Sequence, residues 1–325
     1  MRLKFVPDET NYDFFKYRYA TFGVSVVAMV LSLIIWLTVG LNFGIDFRGG
    51  TTIRTQSTEA VDVGAYRDAI APLELGDVAI SEVFDPSFGE DRNVAMLRIQ
   101  AQGEEESITA ETIAEVEAAL QEVDPSITFP SVESVGPKVS GELIQTAFLA
   151  VGASLAAILI YIWLRFEWQF SVGAVAALFH DVVLTIGIFS LLQIRFDLAT
   201  IAALLTIIGY SINDTVVIFD RLRENLIKYK QRALQDVMNL SVNETLSRTI
   251  MTSGTTLIAL IALLVLGGDV IRGFVFAITW GVVVGTYSSV YVAKNIVLWL
   301  GVKRDWSKDS SGPGDKGNQF ANIDA

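Results

Sequence analysis

The chain has 325 residues, 52% of them hydrophobic, with 24 Lys and Arg against 36 Asp and Glu, one histidine and no cysteine. Its mean hydropathy of +0.47 is too high for a single soluble domain and predicts a membrane protein. The missing cysteines exclude disulfides, thiolate metal sites and thiol catalysis, and the lone His180 excludes a multi-histidine centre, so no metal or cofactor is expected.

The acidity is local. Residues 42–141 hold 6 Lys and Arg against 19 Asp and Glu, a net of −13, while the remainder holds 18 against 17. This block is also the longest stretch without an apolar run, so it is expected to form a separate, water-exposed acidic domain. Residues 1–20 contain acidic groups and no small-residue cleavage site, and are expected to be a retained cytoplasmic segment rather than a signal peptide.

Six apolar runs follow one another at 21–41, 143–164, 168–192, 198–219, 247–266 and 273–300, each long enough to span a bilayer. Arg2, Lys4, Lys16 and Arg18 precede the first, Arg221, Arg223, Lys228, Lys230 and Arg232 follow the fourth, and Lys294, Lys303, Arg304 and Lys308 flank the last. The opposite short loops carry only Arg195 and Arg272. The positive-inside rule therefore puts both termini and the 221–246 loop in the cytoplasm and residues 42–141 outside.

The outer domain opens on GIDFRGG, Gly44 to Gly50. Strands are expected at 51–56, 78–84, 93–100 and 126–136, with the turn DPSFGEDR between the second and third, and helices over VDVGAYRDAIAP and ITAETIAEVEAALQEV. The order β-α-β-β-α-β predicts a ferredoxin-like α+β fold, although Pro130 interrupts the last strand. Gly136, Pro137 and Gly141 mark a hinge, a tight junction or a plain loop on the return to the membrane. In GIDFRGG, Gly44, Asp46, Arg48, Gly49 and Gly50 form either a hinge or substrate-facing loop or a cap on the domain junction.

Ionisable groups inside the apolar runs carry the functional signal, because each is costly in hydrocarbon. His180 and Asp181 sit near the middle of the third run, as a structural pair or as a proton relay. Asp214 lies inside the fourth run, roughly 9 Å before the charges that begin at Asp220. On that helix Gly209, Tyr210, Asn213, Asp214 and Val217 fall at i, i+3, i+4 and i+7 spacing. The 221–246 loop is expected to hold an amphipathic helix along the inner membrane surface. The strictly apolar part of the fifth run is short, so the span must recruit SRTIMTSGTT, which brings Arg248 to the depth of Asp214 and adds hydroxyls such as that of Thr252. GVVVGTYSS in the sixth run reads as tight helix packing, with a polar lining as the minor alternative. Residues 301–325 are polar and are expected to be a disordered cytoplasmic tail.

A carboxyl in a low-dielectric bundle changes its favoured protonation state when a guanidinium beside it moves by a few ångströms, so Asp214 and Arg248 form either a proton-linked switch or a static ion pair. GIDFRGG, VGPKVSGEL, FEWQFSVGAVAALFHD, GYSINDTVVIFDRLREN, SRTIMTS and GGDVIRGFVFAITWGVVVGTYSS, in that order, resemble the SecF family of bacterial protein-export subunits over nearly the whole chain. The resemblance implies a SecD partner completing a twelve-helix unit similar to resistance-nodulation-division transporters. It also implies the SecYEG channel, YajC and a translocating preprotein as associates, a place in the bacterial inner membrane, and proton-driven help to late export. It assigns Asp214 and Arg248 to the proton pathway. A proton-coupled exporter of small molecules or lipids and a passive scaffold are the competing readings. An enzyme is disfavoured because no nucleophile-base pair or phosphate loop appears, and nothing points to nucleic acid.

Overall fold

The computed structural model describes residues 10–83, 93–100 and 108–302. Helix α1 (Arg18–Val39) leads through a two-residue strand β1 (Asn42–Phe43) and the short helix α2 (Ile45–Arg48) into the α+β domain. That domain runs β2 (Gly50–Ser57), α3 (Val63–Ile70), β3 (Val78–Val83), β4 (Asn93–Gln100), α4 (Ala110–Val123) and β5 (Thr128–Val135). The sheet order β3-β4-β2-β5, antiparallel throughout, is the expected ferredoxin-like arrangement. The expected turn at 85–92 and the tail from 303 lie outside the described residues.

Alternation along the strands assigns the two faces of the sheet. Ile53, Ala95, Leu97 and Ile99 pack against Tyr66, Ile70, Val116 and Leu120 of α3 and α4. The side chains between them in sequence, including Met96 and Arg98, take the opposite face. Pro130 is tolerated because β5 is an edge strand, and because Phe129 and Pro130 bulge opposite the single residue Thr55. Thr109 caps α4 by accepting from the Thr112 amide at 3.2 Å. Beyond the end of α4, burial pushes the Asp124 carboxyl up, but hydrogen bonds from Ser57 and from the Ser126 amide and hydroxyl outweigh it and hold the group below 3.8.

After β5 come α5 (Pro137–Arg165), α6 (Trp168–Leu192), the strand β6 (Arg195–Phe196), α7 (Leu198–Lys228) and α8 (Leu234–Leu266). The last span is α9 (Asp269–Ser288), a π-helical turn at Ser289–Ala293, and α10 (Lys294–Leu300). Among the described residues six helices are thus long and apolar enough to cross a membrane, as the six runs predict.

One expectation needs correction, and one open choice is resolved. Residues 221–246 do not form a surface helix: α7 continues to Lys228 and α8 begins at Leu234, so the segment is the closed end of a helical hairpin. Of the apolar stripe Leu226, Ile227, Leu234, Val237, Met238 and Leu240, Leu226, Val237 and Met238 are buried in the bundle core with Leu234 packed against it, while Ile227 stays exposed. The Gly136-Pro137 step is a tight junction rather than a loop. Helix α5 starts at Pro137, whose fixed φ suits a first helical position, and runs through Gly141 without a break.

The bundle core has two apolar plugs. One, near the hairpin end, contains Phe170, Ala177, Ile218, Phe219 and Val297; the other, beneath the α+β domain, contains Phe189, Leu204, Ile207 and Val282. Gly281 and Gly285 let α9 approach α7 closely, since a Cβ on them would run into Ile207 and Ser211 respectively. At the hairpin end, residues 10–17 strap the bundle. The Tyr12 and Phe14 amides donate to Asn243 and Asn239 of α8, at 2.8 and 2.9 Å. The buried Lys294 ammonium donates to the Phe14 carbonyl at 3.1 Å and sits 4.0 Å from the Phe15 ring centre.

Two outcomes follow from this packing. Gly281→Val should cost about 1–3 kcal/mol by overpacking and lower the thermal midpoint of the purified chain, whereas Gly281→Ala should cost less. The depressed Asp124 carboxyl contributes stability that is present in full above the ordinary value of 3.8 and is lost as pH falls through its folded-state value. Amide exchange in β2 and β5, corrected for intrinsic rates, should therefore accelerate below about pH 4, and Asp124→Asn should flatten that dependence.

Candidate functional site

Between the two apolar plugs lies a layer of polar side chains drawn from four helices. Helix α6 contributes His180 and Asp181, α7 contributes Ser211, Asp214 and Thr215, α8 contributes Ser253, and the last span contributes Thr286, Ser288 and Ser289. Such groups persist in a dry core only when they satisfy one another.

Asp181 is the hub. It is fully buried, and one carboxylate oxygen lies 2.9 Å from His180 Nδ1. The other oxygen accepts from Ser211 Oγ at 2.6 Å and from Ser288 Oγ at 2.9 Å, so one side chain joins α6, α7 and α9. A second link runs between Thr215 and Ser289 at 2.8 Å, directly where the last span changes to π geometry. His180 is stacked on Tyr287, whose hydroxyl donates to the Thr21 carbonyl of α1 at 2.9 Å.

Asp214 differs. It is 3% exposed, on the packed face of α7 one turn beyond Ser211, and its Oδ2 has no hydrogen-bond partner among the described residues. Ser253 of α8 stands beside it, with its hydroxyl 2.8 Å from Thr286 Oγ1. Arg248, five residues earlier on α8, is exposed and acts on Asp214 electrostatically, yet no ion pair within 4.0 Å joins them among the described residues. The expected contact is therefore open in this conformation.

The supporting residues divide. Tyr210 reaches α8 through its hydroxyl, 3.4 Å from Thr256 Oγ1. Thr252 spends its hydroxyl on the Thr249 carbonyl of its own helix, at 3.0 Å. Asn213 is exposed: with 100° between neighbours on a helix, it turns outward while Asp214 turns inward, so the two do not share a packed face. Ser211 and Thr215, which do share it, are absent from the sequence reading; their i, i+4 spacing on the Asp214 face is the signal that could have found them.

GIDFRGG builds the junction with the α+β domain. β1 pairs in parallel with β6, and Gly44 donates to the Phe196 carbonyl at 2.8 Å. Asp46 Oδ2 accepts from the Leu198 amide at 2.9 Å, while Asp197 and Thr200 close a capping box on the same helix end. Asp46 is thus an added cap on α7, the helix that carries Asp214. Gly49 and Gly50, at φ of 73° and 126°, turn the chain from α2 into β2. Arg48 is exposed, and Ser140 ties α5 to the Ile45 carbonyl at 3.4 Å, three residues after Pro137.

Two family models match: the SecD/SecF GG motif over residues 34–61, and the C-terminal part of the protein export membrane proteins SecD/SecF over residues 115–303. The chain is 70% identical over 324 residues to protein translocase subunit SecF of Cereibacter sphaeroides, covering 100% of this chain and 99% of that one. It is 63% identical to the SecF subunit of Rhodobacter capsulatus, covering 97% and 96%. Among solved structures it is similar to SecDF, a translocon-associated membrane protein from Thermus thermophilus, with 34% identity, a TM-score of 0.80 and 92% of this chain covered. SecDF in its super-membrane-facing form gives 35% identity, a TM-score of 0.66 and 94% coverage. The chain spans 40% of each of those SecDF chains. The chain belongs to the SecF family of protein translocase subunits.

Proposed function

We propose that this protein pairs with SecD in a bacterial cytoplasmic membrane and couples proton movement to the late steps of preprotein export through SecYEG, with YajC as an associate. Both termini and the α7–α8 turn face the cytoplasm, where the basic residues concentrate, and the acidic domain faces outward. The chain's role in export is accessory rather than enzymatic.

One observation carries the proposal: a buried carboxylate, Asp214, with an unpartnered oxygen and a guanidinium within electrostatic but not pairing distance. A permanent lock between α7 and α8 needs that pair closed. An open pair, with a charge that moves only if the helices do, is what a two-state proton switch requires. Each proton crossing the membrane supplies about 2.3 kcal/mol per 100 mV, enough to bias a conformational equilibrium of a few kcal/mol. Asp181 has the opposite character, since hydroxyls and His180 already occupy both its oxygens. It is the frame against which α7 moves. The naming of the relatives as translocase subunits favours export over a small-molecule or lipid exporter.

Asp214→Asn and Arg248→Met should each insert, pair with SecD and abolish proton-gradient stimulation of preprotein export in vesicles; full stimulation by either variant rejects the switch. Asp181→Ala should instead cost about 1–3 kcal/mol of helix packing, read as a lower thermal midpoint, because Ser211 and Ser288 lose their acceptor. Asp181→Asn keeps an acceptor and should retain stimulation. Loss of stimulation in that variant, at unchanged stability, would put Asp181 on the proton route and remove it from the frame.

A further inference from the structure

Basic side chains gather where the sheet face of the α+β domain turns to the bundle. Arg98 of β4 lies within electrostatic reach of Arg48 from GIDFRGG and Arg195 from β6, and Asp197 is the opposing acid on the bundle side. Asp197 is already committed, with one oxygen capping the Thr200 amide at 2.9 Å and the other 3.3 Å from Arg195 Nε. Arg195 also places Nη1 3.4 Å from Met96 Sδ. Arg98 makes no hydrogen bond or ion pair among the described residues, and its Nε is buried without a partner. Three guanidinium groups from separate parts of the fold thus share one nearby carboxylate, Asp197, which is paired with Arg195, and leaving the buried Arg98 Nε unpaired beside them is costly.

Arg98 borders two cavities. The smaller, about 180 Å³, lies against GIDFRGG and includes the acid Asp77. The larger, about 410 Å³, is lined by Arg98 from the domain, by Arg195, Asp197 and Arg272 from the ends of the spans, and by the apolar Leu264, Val270 and Phe276. These apolar residues belong to the last turns of α8 and the first turns of α9, so the cavity sits where the spans leave the hydrocarbon. Below it, Val265, Leu266, Val270 and Ile271 present exposed apolar surface at 65%, 75%, 51% and 40%. A site in which three arginines, one from the domain and two from the span ends, outnumber one acid and adjoin apolar residues of α8 and α9 fits one kind of molecule.

We propose that this cavity binds the headgroup phosphate of an anionic phospholipid from the leaflet facing the α+β domain, with the acyl chains running down the outer surface of α8 and α9. The fork of Arg98 and the guanidinium of Arg195 supply paired N–H donors for phosphate oxygens, a geometry that lysine does not reproduce. The lipid neutralises the arginine cluster and bridges the sheet to the start of α9, so the resting position of the domain depends on membrane composition.

Native mass spectrometry of the full chain released from detergent, titrated with phosphatidylglycerol, tests this. Wild type should retain one phosphatidylglycerol in preference to phosphatidylcholine, and Arg98→Gln and Arg195→Gln should each weaken retention by about tenfold. Arg98→Lys should fall between them, and Arg165→Gln, at the hairpin end, should bind as wild type. Circular dichroism and a monodisperse elution profile establish that each variant is folded, and the two independent Gln variants guard against failure of one. Unchanged retention in both Gln variants overturns the proposal. So does displacement of the lipid by millimolar inorganic phosphate or glycerol phosphate, which marks a general anion site. Exclusion of the lipid by SecD, with weaker SecD binding in Arg98→Gln, would assign the arginines to a protein carboxylate and overturn it as well.

Discussion

A dry helix bundle does not tolerate unpaired polar groups, and the arrangement of this protein follows from where it places those it has. A set of them drawn from four helices forms a layer between a phenylalanine-rich plug at the hairpin end and a second apolar plug under the α+β domain. Within the layer almost every hydroxyl is spent: Ser211 and Ser288 on Asp181, Thr215 on Ser289, Ser253 on Thr286. Asp214 Oδ2 and His180 Nε2 are the buried atoms of the layer left without a partner among the described residues, and Asp214 is the carboxylate of the two. The two buried carboxylates thus differ in their partners: both oxygens of Asp181 are hydrogen-bonded, whereas Asp214 keeps Oδ2 open, and the proposed proton exchange is assigned to Asp214.

The junction at the domain end connects to this layer through a single rigid element. Helix α7 is unbroken from Leu198 to Lys228, capped by Asp197 within its own chain segment and by Asp46 from GIDFRGG. Asp214 lies about 24 Å along it at helical rise. In the proposed switch, a displacement of α7 would be passed to α2 and, through Gly49 and Gly50, to β2, the strand paired on both sides in the sheet of the α+β domain. The close contact of Gly281 and Gly285 with α7 makes α9 follow or resist that movement.

Much of this was legible from residue pattern alone. Period-2 and period-3.6 hydrophobicity locate the six spans and the β-α-β-β-α-β order, and the cost of an acid in an apolar run singles out Asp214. The segment 221–246 misled because an amphipathic pattern is the same whether its apolar stripe meets lipid or a neighbouring helix; only the tertiary contacts of Leu226 and Met238 decide. Pro130 looked like a strand breaker because its edge position and bulge depend on a partner strand far away in the chain. Asn213 was grouped with Asp214 by spacing, although the packed face of α7 is centred on Ser211 and Thr215. The arginine cluster at the junction was invisible, since Arg48, Arg98 and Arg195 are distant in sequence and each looks like an ordinary surface charge alone.

The central claim is that the open Asp214–Arg248 pair is one state of a proton-linked movement of α7 against α8. Spin labels placed on exposed positions of the two helices, on the complex with SecD in lipid nanodiscs, report the distance between them as pH is varied. The account predicts two distance populations whose ratio changes with pH in the native protein and stays fixed in Asp214→Asn. A single, pH-independent distance in both proteins would contradict it.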